Sequence, residues 1–271
     1  MSSPQRIVSL SASNTEILCA LGLTEQLVGV DTWSDYPPAV KTLPKVGREL
    51  DIDMATVAAL RPDLVAACRS IPGMERNITR LEAAGLPYVA VEPIGLDSIF
   101  ECIRRLGAAT DRQQPAEELV DRIQARLVVV QQQVASVTER PRVYWEWYPR
   151  PLIAAAGKSW MTRLIAMAGG ENIFAGRAEE STTIQVEEVL AHQPDVILAC
   201  WCGARTPPTA ERVAARAGWE SATAVRSGRV HVLPEAYFAR PGPRLADGLE
   251  LLAAVLHPER AAQGVGGTGR P

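Results

Sequence analysis

The chain has 271 residues, of which 47% are hydrophobic and 22% charged, with a formal net charge of −3. This is ordinary globular composition, with apolar residues enough for two cores, and the charge excludes a strongly basic surface built for nucleic acid or an anionic membrane. No apolar run approaches the roughly 20 residues of a membrane span.

The opening residues Met1–Arg6 lack the charged region, apolar stretch and small-residue cleavage site of a signal peptide, which leaves two readings open: a cytoplasmic protein, or one whose secretion signal lies outside this sequence. Arg6-Ile-Val-Ser-Leu10 reads as a strand, and Ser13-Asn-Thr-Glu16 has the spacing of a capping box that opens a helix through Leu21, stopped by Gly22. A short strand Leu27–Val30 and a loop rich in proline and aromatics, Asp31–Pro44, follow. Beyond them the pattern predicts a helix around Met74–Ala84, a strand Tyr88–Val91 and a helix Leu96–Leu106.

From Pro115 to Val137 the apolar residues Leu119, Ile123, Leu127, Val130 and Val134 recur at helical spacing. Such a helix is roughly 30–35 Å long at 1.5 Å per residue. The strand–helix rhythm restarts at Arg142–Tyr148, where Pro149 and Pro151 are expected to take the chain out of the sheet. It continues through helices Met161–Ala168 and Ala210–Ala217, strand Val230–Leu233 and helix Pro243–Leu256. The Gly-rich end, residues 259–271, reads as a disordered tail.

One unit occurs twice. Ala55-Thr-Val-Ala-Ala-Leu-Arg-Pro-Asp-Leu-Val-Ala-Ala-Cys68 returns as Glu187-Glu-Val-Leu-Ala-His-Gln-Pro-Asp-Val-Ile-Leu-Ala-Cys200. Each copy reads as a helix end, a Pro-Asp turn and a strand apolar on both faces, because the residue before proline leaves the right-handed helical region. Copies this far apart mean two lobes of like construction, not a solenoid. The expected fold is α/β: two Rossmann-like lobes with mostly parallel sheets, residues 1–114 and 139–258, joined by one long helix, residues 115–138, with a ligand cleft between them.

Several chemistries find little support. Gly157-Lys158-Ser159 ends like a phosphate loop, but position 152 is leucine where glycine is required. Cys200-Trp201-Cys202 has the wrong spacing for zinc, and His192, His231 and His257 fall on unrelated segments, so no metal site is expected. The 5 cysteines do not form a disulfide framework; Cys19, Cys68 and Cys102 sit in apolar patterns. No Gly-x-Ser-x-Gly elbow occurs.

The aromatics are more telling. Tyr144, Trp145, Trp147 and Tyr148 crowd one strand and Trp201 ends another, while Trp33, Tyr36 and Tyr237-Phe238 lie in loops. In open α/β sheets ligands lie beyond the carboxyl ends of the strands. Tyr144 and Trp145 are expected in the core; Trp33, Tyr36, Trp147 and Trp201 are candidate ligand contacts. Arg69 and Arg240, at loop positions after apolar strands, are candidate polar anchors or solvated surface.

The run Val8-Ser-Leu-Ser-Ala-Ser-Asn-Thr-Glu-Ile17, with Ala20-Leu-Gly22, Val28-Gly-Val30, Ser34-Asp-Tyr-Pro37, Gly169-Gly-Glu-Asn172 and Arg240-Pro-Gly-Pro-Arg244, resembles the cobalamin-binding branch of the substrate-binding proteins of ABC importers. Leu60–Val65 and Pro194–Ile197 match too, so the resemblance runs from about Arg6 to Pro258. It implies a corrinoid held between two lobes as ligand and not as catalytic cofactor. It also implies a monomer, a periplasmic or cell-surface location at odds with the N-terminus, and a membrane permease as partner. Ligand contacts carried over are Tyr36 and Trp147, with Arg240 nearby and the loops from Arg48 and after Cys68 facing the cleft. Members usually place one exposed glutamate on each lobe to dock the permease; Glu187 matches, but Ala55 stands at the first-lobe position with Asp51 and Asp53 only nearby.

The alternatives are a haem or ferric-siderophore binder, for which Arg48, Arg69, Arg150 and Arg240 offer positive charge, and an enzyme using Glu146 or Glu235 as acid or base.

Overall fold

A computed structural model describes residues 3–204 and 206–260. The chain divides into two compact units, one running to Ile123 and taking in Arg240–Pro243, the other holding Gln124–Ala239 and the chain from Arg244 on. Both are α/β lobes.

The first lobe contains β1 (Ile7–Ser9), α1 (Ala12–Ala20), β2 (Leu27–Val30), β3 (Gly47–Arg48), β4 (Asp51–Ile52) and α2 (Met54–Ala59). After these come β5 (Leu64–Cys68), α3 (Glu75–Ala83), β6 (Tyr88–Val91) and α4 (Leu96–Ala109). Its four-stranded sheet is parallel throughout, in the order β2-β1-β5-β6, and β3 and β4 form a separate small ladder. The core packs Val8, Leu10, Val57, Val65, Ala67 and Leu81 from both sheet and helices.

The long helix α5 (Gln113–Val134) starts in the first lobe and from Gln124 belongs to the second. It opens before Pro115 and stops short of Val137. Leu119, Ile123, Leu127 and Val130 are buried along it, the stripe expected from their spacing.

The second lobe contains β7 (Arg142–Pro149), β8 (Leu152–Ala155), α6 (Trp160–Met167), β9 (Glu171–Asn172), β10 (Ser181–Ile184) and α7 (Val186–His192). It is completed by β11 (Val196–Ala199), α8 (Ala210–Ala214), α9 (Thr223–Arg226), β12 (Val230–Val232), α10 (Glu235–Phe238) and α11 (Leu245–Leu256). Its sheet runs β10-β8-β7-β11-β12, with β9 beside β7. Here the sequence expectation needs correction. Pro149 ends β7 still paired with Leu152, and around Pro151 the chain turns back as an antiparallel β7–β8 hairpin instead of leaving the sheet, while β10 adds a second antiparallel strand. Leu152–Ala155 follows too closely on the proline pair to stand apart from β7, and Ser181–Ile184 is too polar to announce itself as a strand. At the chain's end Glu259 and Arg260 are helical; the rest of the expected tail, 261–271, lies outside the described residues.

The duplicated unit repeats down to single hydrogen bonds. Arg61 and Gln193, each preceding proline, take left-handed backbone with φ of 46° and 43° and end α2 and α7. Asp63 then accepts the Arg6 N–H at 2.9 Å, and Asp195 accepts the Arg142 N–H at 2.7 Å. Arg6 donates back to Leu60 O at 2.7 Å, and Arg142 to His192 O at 2.9 Å. In each lobe one aspartate therefore secures the start of a strand pair, β1/β5 or β7/β11, and one arginine caps the preceding helix. The start of α1 also differs from expectation: Ser11, not Ser13, is the cap, and Glu16 is buried instead of reaching back to the cap.

Partial burial pulls the Asp195 carboxyl up, but the Arg142 guanidinium and N–H outweigh it and hold the group below its ordinary value of 3.8. Stability from such a group is present above the unfolded value and lost as pH falls through the folded one. Asp195→Ala is expected to cost about 1–3 kcal/mol in urea unfolding at neutral pH, a deficit that narrows below about pH 3.8. An undiminished deficit in acid would contradict the assignment.

Candidate functional site

In the first lobe the loop after β2 lies at the carboxyl end of the parallel sheet and carries two of the protein's most exposed rings, Trp33 at 41% and Tyr36 at 46%. The loop is shaped from beneath. Asp31, fully buried, accepts the Trp33 N–H at 2.8 Å and the Ser34 hydroxyl at 2.5 Å. Ser34 also meets the Thr15 hydroxyl at 2.7 Å, and Lys45 Nζ donates to Ser34 O at 2.6 Å. Burial raises the Asp31 carboxyl against the lowering pull of the Ser34 hydroxyl and Trp33 N–H.

Arg240 closes the loop from above. Its guanidinium donates to Glu16 at 3.1 Å, to Asp35 at 2.5 Å and to Trp33 O at 3.2 Å. Burial alone would lower this guanidinium, yet its hydrogen bonds to Asp35 and Glu16 prevail and raise it. Arg48, exposed, sits 5.9 Å from the Trp33 ring centre. The structure thus brings Trp33, Arg48 and Arg240 together, with Tyr36 on the same loop. Arg69, at the end of β5, is instead engaged with Glu92 at 2.8 Å.

In the second lobe the aromatic strand β7 is buried through Glu146 and opens toward its end. Tyr144 and Trp145 are fully buried, as expected. Trp147 is half-buried; its ring lies 5.3 Å from Trp145 and 5.7 Å from Trp160. Trp145 in turn meets Phe238 at 5.2 Å, and the Trp160 indole N–H donates to Phe238 O at 3.2 Å. Trp147 stands inside the strand, at the irregularity between Glu146 and Tyr148, not beyond its end. Tyr237 is half-buried, with the Arg244 guanidinium 5.4 Å from its ring centre.

Two expectations fail on burial. Trp201 is only 5% exposed, part of the core with Tyr144, Phe174 and Trp219, so it does not present a face to a ligand. Its indole N–H donates to Glu146 at 2.6 Å, and Arg212 and Arg216 stack on its ring at 5.3 and 5.6 Å. Glu146, at 0% exposure, also accepts two bonds from Arg216 at 2.5 and 2.6 Å and one from the Tyr144 hydroxyl at 3.0 Å. A carboxylate so filled is a structural anion, not an acid or base open to substrate. Glu235 accepts the Gly203 N–H at 3.2 Å near the exposed Cys202.

Glu187 is exposed in the first turn of α7, and Ala55 is exposed at the matching turn of α2. Asp53 caps α2 through the Ala55 and Thr56 N–H groups. Among the described residues no group of three or more His, Cys, Asp or Glu side chains can hold a metal. None of the described helices is long and apolar enough to cross a membrane.

Sequence reasoning missed Glu16, Asp31, Arg216 and Trp160. Only Asp31 carried a local signal, an aspartate two residues ahead of the N–H it accepts. Arg216→Ala would leave the buried Glu146 carboxyl without its cation, and is expected to cost about 3–5 kcal/mol in urea unfolding. A loss under about 1 kcal/mol would show that the pair is not a structural anchor.

Residues 7–237 match the family model described as periplasmic binding protein. The chain is 31% identical to an uncharacterised ABC transporter substrate-binding lipoprotein, YvrC, of Bacillus subtilis, over 94% of this chain and 81% of the relative. It is 29% identical to the vitamin B12-binding protein of Pectobacterium atrosepticum, over 89% and 85% of the two chains. Among solved structures, the periplasmic heme-binding protein RhuT of Roseiflexus sp. RS-1 in apo form superposes with a TM-score of 0.83 at 27% identity, covering 94% of this chain and 99% of the other. The chain belongs to the periplasmic binding protein family, the substrate-binding components of ABC importers.

Proposed function

We propose that this protein binds a corrinoid of the cobalamin type, without chemistry on it, and hands it to an ABC importer. The observation that carries this reading is the pairing of open aromatic faces with arginines already engaged. Trp33 and Tyr36 on the first lobe, and Trp147 and Tyr237 on the second, offer rings suited to a large flat ligand. Arg69 is matched by Glu92, and Arg240 by Glu16 and Asp35. Haem propionates or an anionic siderophore would need convergent cations with little competition from carboxylates, and Arg48 and Arg150 are what these pairings leave. The vitamin B12-binding relatives support the same choice; the haem-binding neighbour keeps haem as the second reading.

Glu187, exposed on the first turn of α7, is the residue we assign to permease docking. Glu187→Arg should reduce ligand transfer to the reconstituted cognate importer while leaving ligand affinity unchanged.

Titration with cyanocobalamin and, separately, haemin is expected to give one saturable site per chain for the corrinoid, with micromolar affinity or better, roughly −8 kcal/mol. Saturable haemin binding with no corrinoid signal reverses the order. Trp33→Ala and Trp147→Ala should each weaken binding by about 1–3 kcal/mol, ten- to a hundredfold or more. For Trp147, a stability loss of about 3–5 kcal/mol with affinity intact would mark it as core instead.

A further inference from the structure

We infer that Arg240 is a positioning residue that sets how Trp33 is presented, acting through the loop and not by touching the ligand. This rests on the proposed role of Trp33 at the binding face. The segment Arg240–Pro243 follows almost all of the second lobe in sequence yet packs as part of the first. A side chain there would meet Ile17 and Ser13 O of the first lobe at 3.7 Å from position 242. Arg240 therefore arrives at α1 and the 31–37 loop from a distant part of the chain.

What it does there follows from its partners. The N–H of Trp33 is held from below by Asp31 at 2.8 Å, and its C=O from above by Arg240 at 3.2 Å. With both peptide groups of one residue held, its backbone torsions have little freedom, although the ring is 41% exposed. The guanidinium is planar, so three acceptors, Glu16, Asp35 and Trp33 O, fix its orientation as well as its position. Glu16 is itself buried, its side chain 2% exposed, which gives the clasp a rigid anchor on α1. The Arg240 side chain is 13% exposed, little surface for a ligand contact. A ring held in its bound orientation before the ligand arrives loses less freedom on binding.

The test is a double-mutant cycle on the full chain with cyanocobalamin as probe, joined to hydrogen exchange of the 31–37 amides. Arg240→Gln is expected to weaken binding about tenfold in the native background and less than about twofold when Trp33→Ala is already present. Exchange over 31–37 should accelerate in Arg240→Gln while β5 and α4 stay protected. Arg240→Lys keeps a cation against Glu16 without the planar fork; it should fold like the native protein and still show the faster loop exchange. Independent, multiplying effects of Arg240→Gln and Trp33→Ala would overturn the inference in favour of direct contact, as would unchanged loop exchange in both Arg240 variants. If the native protein fails to bind cobalamin, the functional reading falls, and the exchange experiment alone decides whether Arg240 holds the loop.

Discussion

In each lobe a single aspartate after a proline ties the start of one strand to the end of the helix before its neighbour. Asp63 and Asp195 sit where a parallel sheet leaves strand-leading N–H groups without a ladder partner; Asp63 takes those of Gln5 and Arg6, and Asp195 takes that of Arg142. The arginine carrying that N–H reaches back to the helix carbonyls, so α2 and β5, and likewise α7 and β11, are set relative to the adjacent first strand. The exposed Trp33 and Tyr36 lie on the loop after β2, the strand paired with β1 in the first-lobe sheet. A sheet with slack at its amino end would present that loop with slack as well.

Three arginines of this protein, Arg142, Arg216 and Arg240, each tie together segments far apart in the sequence. Arg216 stacks between Trp201 and Trp219 while both of its terminal nitrogens meet Glu146, so one side chain joins the turn after α8 to the middle of β7. Arg240 does the same for the 31–37 loop, and Arg142 for the end of α7. Glu146 is held further by the Trp201 indole N–H and the Tyr144 hydroxyl. A buried pair of this kind adds little net stability over an apolar pair but strongly penalises any arrangement that separates its members. Geometry, more than stability, is what such pairs supply here.

The aromatic residues divide accordingly. Tyr144, Trp201 and Trp219 share one core of the second lobe, and Trp145 packs against Trp147, which in turn meets Trp160. The loop that carries Trp33 and Tyr36 is held by hydrogen bonds through Asp31, Ser34 and Arg240. One lobe stiffens its aromatic face by packing, the other by a polar clasp.

The repeated Pro-Asp unit, the alternation of apolar strands with amphipathic helices and the stripe along α5 were legible in the sequence because each is local or periodic. They determined two α/β lobes and one long helix. Only the tertiary structure decided which charges and rings meet. Glu16 with Arg240, Glu146 with Arg216, and Trp201 with Glu146 are separated by 224, 70 and 55 residues, beyond any periodic pattern. The same lack of a local signal hid the antiparallel turn after β7 and put Trp201 among the exposed candidates. An indole at a strand end reads alike whether its N–H faces solvent or a buried carboxylate, and only the fold brings the carboxylate to it.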